Sequence, residues 1–175
     1  MREALKEAQK AFDEDEVPVG AVIVYQNRVI ARAHNQVERL KDPTAHAEMI
    51  AITSAANFLD TKWLNESSLY VTIEPCSMCA GALVLARVKE IIYGAPDPKT
   101  GACGSIMNIA GNKKLNHRIK VSKGILADEA AQLLREFFRK KRVTPNNQEG
   151  RHHEKQTEEA VVQAEALRIL RNRHN

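Results

Sequence analysis

Apolar residues recur at helical spacing from the start of the chain, where Ala4, Leu5, Ala8, Ala11 and Phe12 fall on one stripe among charged neighbours. This predicts an amphipathic helix that is over before Pro18. The period then shortens. Val19–Val24 and Arg28–Ala33 are rich in β-branched residues and read as two strands joined at Gln26–Asn27 as a hairpin. Asp42-Pro43-Thr44 carries helix-start chemistry, with Thr44 as the expected N-cap of a helix over Ala45–Leu59. Ser67–Glu74 reads as a strand broken at Pro75, Cys76–Arg87 as a helix and Glu90–Tyr93 as a short strand. Gly94–Gly104 is a loop rich in Gly and Pro, and Arg118–Ser122 is a further strand. Ala127–Arg142 closes the series as a helix with Ala130, Leu133, Leu134, Phe137 and Phe138 on its apolar side. Strands alternating with helices imply a layered α/β domain, and the opening hairpin makes its sheet mixed.

Beyond this pattern, Thr144–Gly150 is polar and reads as a linker. Glu158–Arg173 returns to helical composition, with acidic residues early and arginines late. The expected organisation is therefore one domain over residues 1–144 and a polar linker with a helical tail over 145–175. The 175 residues suffice for one core and are too few for two ordinary ones. At 43% hydrophobic and 27% charged the chain belongs to the globular class. No apolar run approaches the roughly 18 residues of a membrane span, and the charged start does not resemble a signal peptide.

The formal charge of +4 is unevenly distributed. Five Lys/Arg and five Asp/Glu cancel within 145–175, so the excess lies in residues 1–144, which suits a polyanionic partner without requiring one. Two of the three cysteines stand in a C-x-x-C arrangement, which points to metal binding before a disulfide framework and to a reducing, cytoplasmic location.

Two stretches carry the chemistry: His46-Ala47-Glu48 and Pro75-Cys76-Ser77-Met78-Cys79. Cys76 and Cys79 can grip one ion from the first turn of a helix, and His46 opens a different helix. Two helix starts can thus converge on a zinc ion held by three protein donors, the pattern of a catalytic rather than a four-ligand structural site. Glu48, two residues after His46, is the natural proton shuttle. A lone C-x-x-C can equally be a structural half-site or a redox pair. Cys103 is the obvious fourth thiol, but its loop setting reads as a buried or loop-wall residue. His34, His117, His152, His153 and His174 read as surface or hydrogen-bonding residues.

The combination H-x-E…P-C-x-x-C is the signature of zinc-dependent nucleobase deaminases. Over residues 1–144 the chain resembles the bacterial tRNA-specific adenosine deaminases. The matching stretches are Glu16-Val17-Pro18-Val19-Gly20-Ala21-Val22, Asp42 to Glu48, Leu69 to Cys76 and Cys79-Ala80-Gly81-Ala82. Lys99 to Ser105, Asn116-His117-Arg118 and Phe137-Phe138-Arg139 follow the tRNA-acting members in order and spacing. Thr53 departs from the family, where an arginine often stands.

This resemblance implies a cytidine-deaminase-like three-layer α/β/α sandwich with a central five-stranded mixed sheet. It implies one Zn2+ per subunit on His46, Cys76 and Cys79, with Glu48 as general acid/base. Asn35 would hydrogen-bond the flipped adenine, Ala47 would help line the base pocket and Asp97 would meet the ribose-phosphate backbone. Lys99 and the run Arg139-Lys140-Lys141-Arg142 would track phosphates or form a solvated face. The implied activity is deamination of the wobble adenosine of a tRNA anticodon loop to inosine by a homodimer. A free-base or nucleoside deaminase of guanine or cytosine type and a non-catalytic zinc-stabilised RNA-binding module are the alternatives.

Overall fold

The Ala4–Ala8–Ala11 stripe is buried as its spacing requires, and it lets helix α1 (Arg2–Asp13) lie close against a sheet. The closest approach is at Gly20, where a Cβ would sit 2.0 Å from the carbonyl oxygen of Ala4. The computed structural model describes residues 1–143. The expected linker, the helix over Glu158–Arg173 and the domain division at 144/145 fall outside the described residues, as do His152, His153 and His174.

Five strands form one sheet in the order β2-β1-β3-β4-β5: β1 Gly20–Tyr25, β2 Arg28–His34, β3 Ser67–Ile73, β4 Glu90–Ala95 and β5 Lys120–Lys123. Strand β1 is antiparallel to both β2 and β3, whereas β3, β4 and β5 run parallel. The sheet is therefore mixed, as expected. The hairpin turns at Gln26 and Asn27, both at positive φ (47° and 60°), a backbone matched to the twist of antiparallel strands.

Helix α3 (Ala47–Leu59) and helix α4 (Ser77–Leu85) share a large core with one face of the sheet. Ala51, Ala55 and Leu83 pack there with Ala21, Ile23, Leu69 and Val71, every second residue of β1 and β3. On the other face, α1 lies over Gly20 and Ala130 of α5 (Ala127–Val143) lies over Gly94, while Ala130, Ile73 and Ala95 cluster at the strand ends with Leu5 of α1 and Leu134. Phe12 and Phe137 meet edge to face, ring centres 5.9 Å apart, which ties α1 to α5. The result is the expected α/β/α sandwich, and Met1–Phe138 form one compact unit.

Several local expectations need correction. Thr44 is not the N-cap of α3. Its N–H and hydroxyl both donate to Oδ1 of Asp42, at 2.8 and 2.7 Å, in a turn that precedes the helix. His46, in extended conformation, takes the N-cap position, and the helix starts two residues later than expected. A short helix α2 (Val37–Leu40), stopped by Lys41 at φ 53°, stands where no element was expected. Phe138 is 45% exposed and does not extend the buried stripe of α5. Among the described residues no helix is long and apolar enough to cross a membrane.

Candidate active site

The two helices α3 and α4 begin at the same end of the sheet, so their first residues are brought together. Cys76 is the N-cap of α4, in extended conformation, and Cys79 lies in its first turn. Nδ1 of His46 lies 3.7 Å from Sγ of Cys76 and 3.6 Å from Sγ of Cys79. The three donor atoms all fall within 4.8 Å of one another. Ligand bonds of about 2.0–2.1 Å to nitrogen and 2.3 Å to sulfur at a tetrahedral zinc place N and S roughly 3.5–3.6 Å apart. The donor set and its spacing thus fit a zinc ion, and three residues form a group that can hold a metal. Cys103 is not part of it. Cys103 is buried in the core behind the site, and burial pushes its thiol up to about 12.

Electrostatics within the group favour a cation. The Cys76 thiol is lowered to about 4, chiefly because Cys79 donates a hydrogen bond to its sulfur, with help from His46. Cys79, as that donor and as a buried group, is pushed up instead. The pair therefore shares one proton, and a divalent metal is the group that allows both sulfurs to be thiolates. His46 is raised by its contact with Cys76 and by the nearby Glu48 carboxylate. Glu48, in the first turn of α3, is 4% exposed, and burial raises its carboxyl to about 7.

His46, Cys76 and Glu48 open onto a cavity of about 560 Å³, large enough for a nucleoside. Its wall includes Asn35, Glu16, Glu74, Asp97, Lys99 and Thr100, and Leu134 and Phe138 supply an apolar side. The exposed ring of Phe138 is thus spent on the cavity rather than the core. Of the expected substrate contacts, Asn35, Asp97 and Lys99 are brought together here. Ala47 is not among the lining residues; it is fully buried in the core between His46 and Glu48.

Asp97 shapes its own turn. Its carboxylate accepts the N–H groups of Lys99 (2.8 Å) and Thr100 (3.2 Å) and the Thr100 hydroxyl. Burial raises the carboxyl, but the Thr100 and backbone bonds outweigh it and hold it below its ordinary value. Asn35 donates from Nδ2 to Oε2 of Glu16 at 3.2 Å, and the other oxygen of Glu16 accepts the N–H of Arg39 at 2.7 Å. His34 sits outside this wall as a hydrogen-bonding residue, its ring nitrogens 3.4 Å from Glu7 and 3.1 Å from Glu14. His117 meets the carbonyl of Val88 at 2.8 Å.

Sequence patterning assigns no role to Glu16 or Glu74. Both are almost fully buried. Glu74 accepts the N–H groups of Asp97, Cys103 and Ser105 and the Ser105 hydroxyl, so one carboxylate organises the whole 97–105 loop. The one available signal is a carboxylate directly before a proline-containing motif at each site, Glu16-Val17-Pro18 and Glu74-Pro75-Cys76.

Known proteins resemble this chain in sequence and fold. Residues 1–142 match the model of the MafB19-like deaminase family. A tRNA-specific adenosine deaminase of Aquifex aeolicus is 52% identical over 142 residues, covering 81% of this chain and 93% of that protein. A solved tRNA:A34 deaminase, studied for A-to-I editing at the wobble position of transfer RNA, superimposes with a TM-score of 0.74. It is 44% identical and covers 77% of this chain and 97% of its own. A guanine deaminase from Nitrosomonas europaea is more distant, at TM-score 0.67 and 26% identity, covering 77% of this chain and 80% of its own. The chain belongs to the MafB19-like deaminases and, among them, to the family of tRNA-specific adenosine deaminases.

Proposed function

We propose that this chain is a zinc-dependent hydrolytic deaminase that converts the wobble adenosine of a tRNA anticodon loop to inosine. Water is consumed and ammonia released. The observation that carries this reading is the grouping of His46, Cys76 and Cys79 at a nucleoside-sized cavity lined by His46, Cys76 and buried Glu48, in a chain 52% identical to a tRNA-specific adenosine deaminase.

His46, Cys76 and Cys79 would hold one Zn2+ per subunit, which would supply Lewis-acid activation of the hydrolytic water. Glu48 moves both protons of the water: its carboxylate carries the first to the ring nitrogen, then takes the second from the hydroxyl added to the purine carbon and passes it to the amino group, which leaves as ammonia. A carboxyl raised to about 7 by burial suits that exchange near neutral pH. Asn35 hydrogen-bonds the extruded adenosine, and Ala47 supports the pocket from beneath by spacing His46 from Glu48. Asp97 holds the turn against which the ribose-phosphate backbone lies, and Lys99 meets a phosphate. Leu134 and Phe138 offer the base an apolar face. A base in a loop is already poorly stacked, so extruding it costs less than from a duplex.

Residues 1–144 carry this activity, the working form is a homodimer, and its site of action is the cytoplasm. A substrate panel tests the reading: ammonia release from adenosine, guanine and cytosine beside inosine formation in an anticodon stem-loop. Turnover of the stem-loop with little on the small molecules is expected. Turnover of the small molecules alone overturns the tRNA assignment in favour of a free-base enzyme.

A further inference from the structure

Asn35 faces the cavity with an amide whose two ends differ: one is a donor and the other an acceptor. Which end the ligand meets decides what Asn35 can recognise. Glu16 settles it. A carboxylate has only acceptor oxygens. Oε1 takes the backbone N–H of Arg39 at 2.7 Å, and Oε2, 3.2 Å from the amide, can bond only to its NH2 end. Both side chains are almost fully buried, Glu16 at 1% and Asn35 at 5% exposure, so neither turns freely. Among the described residues none donates to Oδ1 of Asn35, which is left uncommitted.

We infer that Glu16 is a positioning and specificity residue: it locks the Asn35 amide so that Oδ1 faces the bound nucleotide and reads an N–H or O–H donor on it. For the nucleotide this inference rests on the deaminase reading above. The donor is the exocyclic amino group of the base or a hydroxyl of the ribose. Glu16 does not touch the substrate in this role. It acts through Asn35 and, by holding Arg39, fixes the start of the chain that leads from β2 to α3.

Chemistry makes the inference reversible on paper. In Glu16→Gln the backbone N–H of Arg39 still needs an acceptor and takes Oε1. Nε2 then faces Asn35, whose amide must rotate by half a turn and present its NH2 end to the cavity. In Asn35→Asp two carboxylates confront each other. In the double variant Glu16→Gln/Asn35→Asp the amide at position 16 donates to the carboxylate at position 35, which again presents an acceptor. Charge, atom count and cavity-facing polarity all return to those of the native pair.

The test is this cycle in the zinc-loaded full chain, with metal content and melting temperature recorded for each form. Each single variant is expected to lower kcat/KM on the anticodon stem-loop by roughly 10- to 100-fold, and the double variant to recover at least about tenfold over the worse single. A stem-loop with 2′-deoxyadenosine at the target separates the two donors. The Glu16→Gln penalty persists if the amino group is read and vanishes if the 2′-hydroxyl is. Rescue of kcat/KM beyond any recovery of melting temperature marks positioning, since a merely structural pair would move both together. Activity of Glu16→Gln within about twofold of native, or a double variant no better than the worse single, overturns the inference.

Orientation is also read without turnover, from the solvent-exchange rate of the Asn35 Nδ2 protons by nuclear magnetic resonance. At least about tenfold faster exchange in Glu16→Gln is expected, and equal rates overturn the locked amide. Should the native protein deaminate no RNA, the function is wrong while the exchange measurement still decides the orientation.

Discussion

Cys103 donates its backbone N–H to Oε1 of Glu74 at 2.9 Å, across 29 residues of chain. The same carboxylate holds Asp97 and Ser105, so the residue that precedes Pro75-Cys76 ties the start of the Cys76 turn to the 97–105 loop on the cavity wall. One buried side chain thereby sets the distance between the chemistry and the loop that frames the substrate.

Removing that tie leaves three backbone N–H groups to find new partners. Glu74→Ala is expected to cost about 2–4 kcal/mol of stability, measured by urea unfolding at neutral pH. The pH dependence has a definite sign. Burial raises the Glu74 carboxyl, but its hydrogen bonds outweigh this and hold it below its ordinary value of 4.5. Its contribution is fully present above that value and is lost as pH falls through the lower folded one. Glu74→Gln is therefore expected to flatten the loss of stability below about pH 4.5. An unchanged acid limb would separate Glu74 from the loop's stability.

Glu48 behaves in the opposite sense. Burial raises it from 4.5 to about 7, so between these values the folded chain keeps a proton that the unfolded chain has released. Stability falls as pH rises through that window. In metal-free protein at pH 8, Glu48→Gln is expected to be more stable than the native chain by about 3 kcal/mol, and nearly equal to it at pH 4. The same variant should retain its metal-binding capacity and lose turnover altogether, the trade expected where a site is built for chemistry rather than stability. An active Glu48→Gln protein removes Glu48 from the proton path.

Metal uptake offers a separate check on the sulfur pair. One proton is shared between Cys76 and Cys79, and His46 is raised, so zinc entering the metal-free site must displace protons. Titration calorimetry in buffers of different ionisation enthalpy is expected to show release of about one to two protons per ion at pH 7, falling by about one in Cys79→Ser. Binding without proton release contradicts the shared proton. Chelation should abolish deamination and readdition of zinc restore it.

Much of this site is legible in the sequence because its signals are local. His46-Ala47-Glu48 and Pro75-Cys76…Cys79 each span about one helical turn, and β-branched runs bounded by turn residues mark β1, β2 and β3. Other features depend on partners far along the chain. Glu74 reaches residues 23 to 31 positions away and Glu16 bonds Asn35 across 19, distances over which no periodicity operates. Helix α2 spans four residues, too few to show a helical repeat. Thr44 reads as a cap from sequence because Asp42, two residues earlier, uses the same side-chain chemistry to make a turn instead.

Lys99 gives the RNA reading its most direct electrostatic test. Its backbone N–H is pinned to Oδ1 of Asp97 at 2.8 Å, which places its side chain on the cavity wall at the end of a defined turn. A lysine that neutralises one phosphate of a single-stranded loop releases counterions, and log K then falls with log salt by about 0.7 per contact. Lys99→Ala is expected to weaken binding of the anticodon stem-loop and to lower the steepness of its salt dependence by about 0.7. The effect should be similar for stem-loops that differ in sequence outside the target, because a phosphate contact carries no base information. Fluorescence anisotropy between about 50 and 200 mM salt, a range that brackets physiological ionic strength, measures both quantities. Weaker binding with an unaltered slope would mean that Lys99 supports the turn rather than a phosphate.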